Sequence, residues 1–308
     1  MLKKSLAFAK YHHNLSIELS NYWKICCALN YSNRWVDSLS EEFKSKKTTD
    51  FPGDTGKPFS YLSIPFNEWS KENSRTIEYI RENTVLNIIT LFEVYLYDIL
   101  IRMIYLEPEL VKDSKIQLQA NDLIKSLSST DNNEWFSQKI VDKYLRNKTH
   151  KEMIAKIARM IPCDIKKIDD SIELWDKWTY VRNSIVHSGR RVSKDLEKVW
   201  NERFPNLGSR LNLKDNELMH LSSIGNKIIK TIDKRAVEVL IKDEDAKSMI
   251  REIYINKGIV DTKEIKTIVS KTIGYRAKTE EVTKVLAYQR RNENYDTGFF
   301  YDLNLIKY

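Results

Sequence analysis

Apolar residues recur at steps of three and four along most of the chain, and turn-forming residues are sparse. Ile168, Ile172, Trp175, Trp178, Val181 and Ile185 form one such stripe, the pattern of a helix with one buried face. Asp170 stands three residues before Glu173 and reads as a capping box opening that helix. Gly189 reads as its C-terminal stop. Residues 1–45 carry a looser helical pattern through Leu6, Tyr11, Leu15, Ile17, Leu19, Tyr22 and Trp23, with Trp35 and Leu39 starting a further turn or two. Residues 46–66 hold two glycines and three prolines and read as a loop. Helical pattern resumes near Glu72 and runs to Leu106, ahead of Pro108. Within it, Leu91 to Leu100 is apolar nearly all round, as in a core helix. Residues 110–165 read as shorter helices with polar breaks at 128–133 and 147–150. Residues 211–240 form an amphipathic helix through Leu218, Leu221, Ile224, Ile228, Ile229 and Ile232. Asp243, Glu244 and Asp245 read as a boundary. Beyond them, residues 246–258, 261–273 and 279–291 read as three short helices separated by Gly258 and Gly274, and the tail from Tyr295 as a small hairpin.

With 8 Gly and 6 Pro in 308 residues, and 42% hydrophobic residues, the expected class is all-α with a sizeable core. The expected division is an N-terminal helical extension (1–74), a central helical bundle (75–242) and a small C-terminal helical domain (243–308). Lys and Arg number 51 against 43 Asp and Glu, a net charge of +8. That leans toward a polyanionic partner and equally suits a Lys-rich soluble protein. Cys26, Cys27 and Cys163 form neither a disulfide framework nor a zinc-site spacing, which points to the cytoplasm. The N-terminal apolar run is too short for a signal peptide. Val85 to Leu106 carries Asn87, Glu93, Asp98 and Arg102, so a bundle helix is expected there and no membrane span. Asp98 and Arg102, four apart, are expected to pair.

Chemistry gathers on the helix that ends near Gly189. Asp176, Tyr180, Asn183 and His187 form a polar stripe, with Arg182 beside it. Arg190, Arg191 and Lys194 follow as a basic turn, placed to contact a phosphate backbone. An imidazole that titrates near neutrality takes or gives the proton that moves when an RNA 2′-OH attacks its neighbouring phosphate. A guanidinium stabilises the charge that develops. No metal or other cofactor is called for, and no convincing metal cluster is seen. In the upstream core helix Asn87, Thr90, Glu93 and Tyr97 form a second polar stripe. A buried Glu93 needs a partner, and Arg182 or Asn183 is the one expected.

Arg182-Asn183-Ser184-Ile185-Val186-His187, on a helix of an all-α region, resembles the signature of the HEPN superfamily. That signature is an Arg followed by a polar residue and, four to six residues later, a His. The helix Leu91 to Leu100, with Glu93, is similar to the earlier core helix of that family. The resemblance covers roughly residues 75–240. It implies a HEPN-like bundle and a metal-independent endoribonuclease acting on RNA as a homodimer. It also implies a toxin–antitoxin or antiviral defence setting with an antitoxin or defence-system partner protein. Arg182 and His187 would be the catalytic pair, with Asn183 orienting them and Glu93 the supporting acid; Tyr180 and Asp176, on the polar stripe of the same helix, are read as further supporting residues. Some toxins of the family carry a Tyr two residues after the His, which their antitoxin modifies. Gly189 stands there in this chain. Simpler readings remain: His187 at a helix end meets the helix dipole, and Arg182 with Glu93 forms a structural pair. Two further readings compete. In one, residues 246–308 form a winged helix-turn-helix with 279–291 as recognition helix, Lys278, Lys284, Arg290 and Arg291 on its basic face and the tail as wing. In the other, the chain is a catalytically inert helical scaffold.

Overall fold

The computed structural model describes residues 2–50, 63–112, 122 and 132–291. Eleven α-helices occur among them: α1 (Leu6–Asp37), α2 (Glu41–Lys44), α3 (Phe66–Leu106), α4 (Asn132–Leu145), α5 (His150–Met160), α6 (Asp169–His187), α7 (Lys194–Val199), α8 (Asp215–Ala236), α9 (Glu244–Lys257), α10 (Thr262–Ile273) and α11 (Thr279–Arg291). The described residues contain no strand, only two isolated bridges, Lys47 to Pro65 and Arg191 to Arg210. The all-α expectation holds. The expected hairpin and wing of the tail lie outside the described residues.

Several boundaries move, for physical reasons. Helix α3 begins at Phe66, six residues before Glu72, because Phe66 is buried and packs against Trp35 and Phe43. Helix α6 begins at Asp169, directly after a 3₁₀ turn, so Asp170 lies inside its first turn and is no cap. Glu173 pairs instead with Lys151. The capping box lies at Thr149 and Glu152, opening α5, within the stretch read only as a polar break. The three C-terminal helices fall where the glycines put them: Gly258 and Gly274 cap α9 and α10 in the left-handed region, at φ +65° and +69°.

The chain forms two compact units that are not consecutive in sequence: residues 1–15, 89–179 and 222–308 make one, 16–88 and 180–221 the other. Helices α1, α3, α6 and α8 each contribute to both.

In the first unit, Phe92 stacks on Trp175 at 4.0 Å, with Ile154, Ile157, Trp178, Ile228, Ile229 and Ile232 buried. Gly225 lets α8 approach Trp175: a Cβ there would stand 2.8 Å from the indole. Buried polar groups tie the N-terminus into this core. Arg102 Nε donates to Asp245 Oδ1 at 2.6 Å, Arg102 Nη2 to Ser248 Oγ at 3.1 Å, and Leu6 N–H to Asp245 Oδ2 at 2.8 Å. Asp98 pairs with Lys10. The expected Asp98–Arg102 pair is thus replaced by two long-range pairs, because these residues turn to different neighbours. Asp245, read as part of a boundary, is completely buried. Helices α9, α10 and α11 pack on one another.

In the second unit, Tyr22, Val36, Phe66, Val85, Ile88, Val181, Leu196, Phe204 and Leu218 are buried. Arg81 joins Tyr22 and Asp215 in a hydrogen-bonded cluster and donates to the Leu213 carbonyl at 3.0 Å. Among the described residues one helix, α3, is long and apolar enough to cross a membrane by length and composition, and half of its apolar window is buried inside the protein.

Candidate active site

The end of α6 divides its residues between two faces. Val181, Ser184 and Ile185 are buried, whereas Asn183 and His187 are exposed and Tyr180 and Arg182 half-buried. This follows from helical geometry: positions 181, 184 and 185 share the core side, so 183 and 187, four apart, share the outer side. Arg182 Nη1 donates to Asn183 Oδ1 at 3.1 Å. Among the described residues, no carboxylate pairs with Arg182 or with His187.

The helix stops in a defined way. Ser184 carbonyl oxygen accepts from the N–H groups of Ser188 and Arg190, both at 3.2 Å. Gly189 and Arg190 then take φ of +59° and +63°, which reverses the chain. Val192 N–H bonds to Ser209 carbonyl at 2.8 Å, and Leu211 N–H to Arg190 carbonyl at 3.0 Å. Ser184 Oγ donates to Ser193 Oγ at 2.8 Å, and Ser193 caps α7. The basic turn is therefore pinned directly behind His187.

The three basic residues of that turn differ. The Arg190 guanidinium is held by Glu82 and by Asn83 Oδ1 at 3.1 Å and lies over the Tyr79 ring at 4.1 Å. Glu82 is 2% exposed, and its Oε1 has no hydrogen-bond partner among the described residues. Arg190 is thus committed to the protein. Arg191 is exposed and donates to the Gly208 carbonyl at 2.9 Å. Lys194, the first residue of α7, is exposed.

The remaining expected residues, Glu93 and Asp176, belong to the first unit. Glu93 was expected to be buried and to face Arg182 or Asn183. Its side chain is 43% exposed and its carboxylate stands 3.8 Å from His150 Nε2, while Arg182 turns to Asn183. His150 Nδ1 accepts from Trp175 Nε1 at 3.1 Å, which places the ring proton of a neutral His150 on Nε2, toward Glu93. Burial raises the Asp176 carboxyl above its usual range, opposed by the charge of Lys151.

Tyr79, Glu82, Asn83 and His150 were missed by the sequence reading. For Glu82 a signal existed: it falls on the apolar stripe 82, 85, 89, 92 of α3, where a lone carboxylate demands a partner. Its partner Arg190 is 108 residues away, and no local pattern could name it. Among the described residues, no three His, Cys, Asp or Glu side chains stand close enough to share a metal ion. No family model matches this chain, and neither a curated protein nor a solved structure matches it.

Proposed function

We propose that this chain is a HEPN-type, metal-independent endoribonuclease, its site being Arg182, Asn183 and His187 at the end of α6. The observation that carries the reading is the state of these side chains. Half-buried Arg182 and exposed His187 stand near the end of one helix with no carboxylate partner among the described residues, and exposed Arg191 and Lys194 lie on the turn that follows. Arg81, Arg102, Arg190 and Arg203 are each spent on a carboxylate; Arg182 is not.

In this reading RNA binds along Arg191 and Lys194 through its phosphates. The 2′-oxygen attacks the adjacent phosphorus as His187 takes its proton. The bond from phosphorus to the 5′-oxygen breaks, and that oxygen receives a proton. The products are a 2′,3′-cyclic phosphate and a 5′-hydroxyl. Arg182, aligned by Asn183, holds the non-bridging oxygens. One imidazole does not serve both proton transfers at once, so two copies of the chain, each bringing one His187, form the composite site. The fold would then be a HEPN-like bundle, working in the cytoplasm as a toxin or antiviral effector under a partner's restraint.

The test is cleavage of labelled RNA by purified protein in excess chelator. Cyclic-phosphate ends from wild type, about 10²–10⁴-fold fewer from His187→Ala, and loss of wild-type cleavage on mixing with excess His187→Ala chains, whose mixed dimers carry a single His187, are expected. A His187→Ala chain that cuts at the wild-type rate ends the proposal. The second reading, nucleic-acid binding through the C-terminal helices, is favoured by Lys284, Arg290 and Arg291, all exposed on α11. Duplex DNA retention without RNA cleavage would select it.

A further inference from the structure

The segment before α1, the first turns of α1, helix α8 and the end of α10 line a cavity of about 610 Å³, all within the first unit. Its walls carry five lysines, Lys3, Lys4, Lys230, Lys234 and Lys271, against one carboxyl, Asp233. That carboxyl is already engaged: it accepts from the Ser5 N–H at 3.1 Å, from the Ser5 hydroxyl, and from Tyr95 OH at 3.4 Å.

Several lysines of this protein meet carboxylates, as Lys10 does with Asp98, Lys151 with Glu173 and Lys247 with Glu244. Among the described residues Lys3, Lys230 and Lys271 meet none, and Lys234 only reaches Glu238 at 4.0 Å. Gathering unpaired ammonium groups around one cavity costs free energy through mutual repulsion. An entering anion offsets that cost.

The cavity is shaped for more than an inorganic ion. Phe8 is half-buried on its wall and stacks with His12, the ring centroids 6.1 Å apart. Asn226 lines the cavity, and its Oδ1 has no donor among the described residues. Gly274, at φ +69°, lets the Lys3 stem lie against the backbone: a Cβ there would come within 3.0 Å of it. Lys271 is shared with a neighbouring groove of about 660 Å³, which adds Lys263, Lys266 and Arg276. Pockets for small organic ligands span roughly 300–1,000 Å³.

We propose that this cavity is a nucleotide site, taking a nucleoside polyphosphate with its phosphates among Lys3, Lys230 and Lys271 and its base against Phe8. The assignment does not rest on the ribonuclease reading, because none of these residues belongs to that site.

Calorimetry on the full chain tests it with ATP, tripolyphosphate, adenosine and a short single-stranded RNA. ATP should bind at least about fivefold tighter than tripolyphosphate, the lower end of what one base–aromatic stack contributes, and adenosine alone only weakly. Phe8→Leu keeps an apolar side chain at this half-buried position and should bring ATP down to the affinity of tripolyphosphate. Lys230→Glu with Lys271→Glu, both at exposed positions, should abolish ATP binding while the melting temperature without ligand stays near wild type. Arg182→Ala should retain ATP binding even if it stops RNA cleavage. Equal affinity for tripolyphosphate and ATP, binding that survives the double charge reversal, loss of binding in Arg182→Ala, or binding of RNA but not of ATP would each overturn the assignment.

Discussion

Two arginines of this protein illustrate opposite uses of one side chain. Arg102 is 1% exposed, its charge neutralised by an Asp245 that is itself completely buried, with Ser248 taking a further donor. Arg182 is half-buried, bonds only the neighbouring Asn183 and meets no carboxylate among the described residues. A buried charge persists only if its neighbours satisfy it, so Arg102 has little left to offer a ligand. Arg182 leaves most of its five donors without a protein acceptor among the described residues. Arg190 stands between these extremes: it sits beside the motif in sequence, yet Glu82, Asn83 and Tyr79 hold it in place. Proximity to a motif therefore says less about function than whether the donors are already spent.

That contrast breaks most sharply in activity. His187→Ala and Arg182→Ala should each lower RNA cleavage by about 10²–10⁴-fold, with unfolding free energy within about 0.5 kcal/mol of wild type. Denaturant melts alongside the cleavage assay check both halves, and an equally large stability loss would make Arg182 a structural residue after all. The reverse pattern is expected for Asp245→Ala, which leaves Arg102 charged and unpaired in the core. It should cost about 3–5 kcal/mol, read as a lower urea midpoint. A variant as stable as wild type would show that Arg102 finds other compensation.

Asp233 sharpens the comparison through pH. Burial raises its carboxyl to about 7, although the Ser5 hydroxyl and N–H act against the rise. An unfolded Asp titrates near 3.9. The folded state therefore binds the extra proton between these values, so this group's contribution is fully present below pH 4 and is lost as pH rises toward 7. Asp233→Asn removes that loss. Its melting temperature relative to wild type should climb from pH 5 to pH 8, whereas a flat difference would place the carboxyl outside that range. Gly225→Ala is a smaller probe of the same core: overpacking against Trp175 should cost about 1–3 kcal/mol without touching cleavage by the motif. A neutral or stabilising substitution there would mean that α8 can shift aside.

How much was legible in advance followed the range of the interaction involved. Helical periodicity placed the buried stripe of α6, and Trp175 and Trp178 are indeed core residues, because both sides of that pattern lie within one turn. Glycines located the ends of α9 and α10, since only a left-handed residue closes such a helix cheaply. The helical string holding Arg182, Asn183 and His187 was equally local, and the exposure of Asn183 and His187 follows from the buried positions around them. Charge pairing was not. Asp98 and Arg102 satisfied the spacing rule for a pair, yet each found a better partner far along the chain. A spacing rule measures only one helix, whereas a buried charge selects among all neighbours that packing supplies. Tertiary structure alone decided that Arg190 is held while Arg191 and Lys194 stay exposed, and that Glu93 meets His150. It also gathered lysines from residues 3 to 271 around one cavity. Each of these depends on segments that meet only after the core has closed, because the apolar surface that brings them together carries no label of which polar groups will arrive with it.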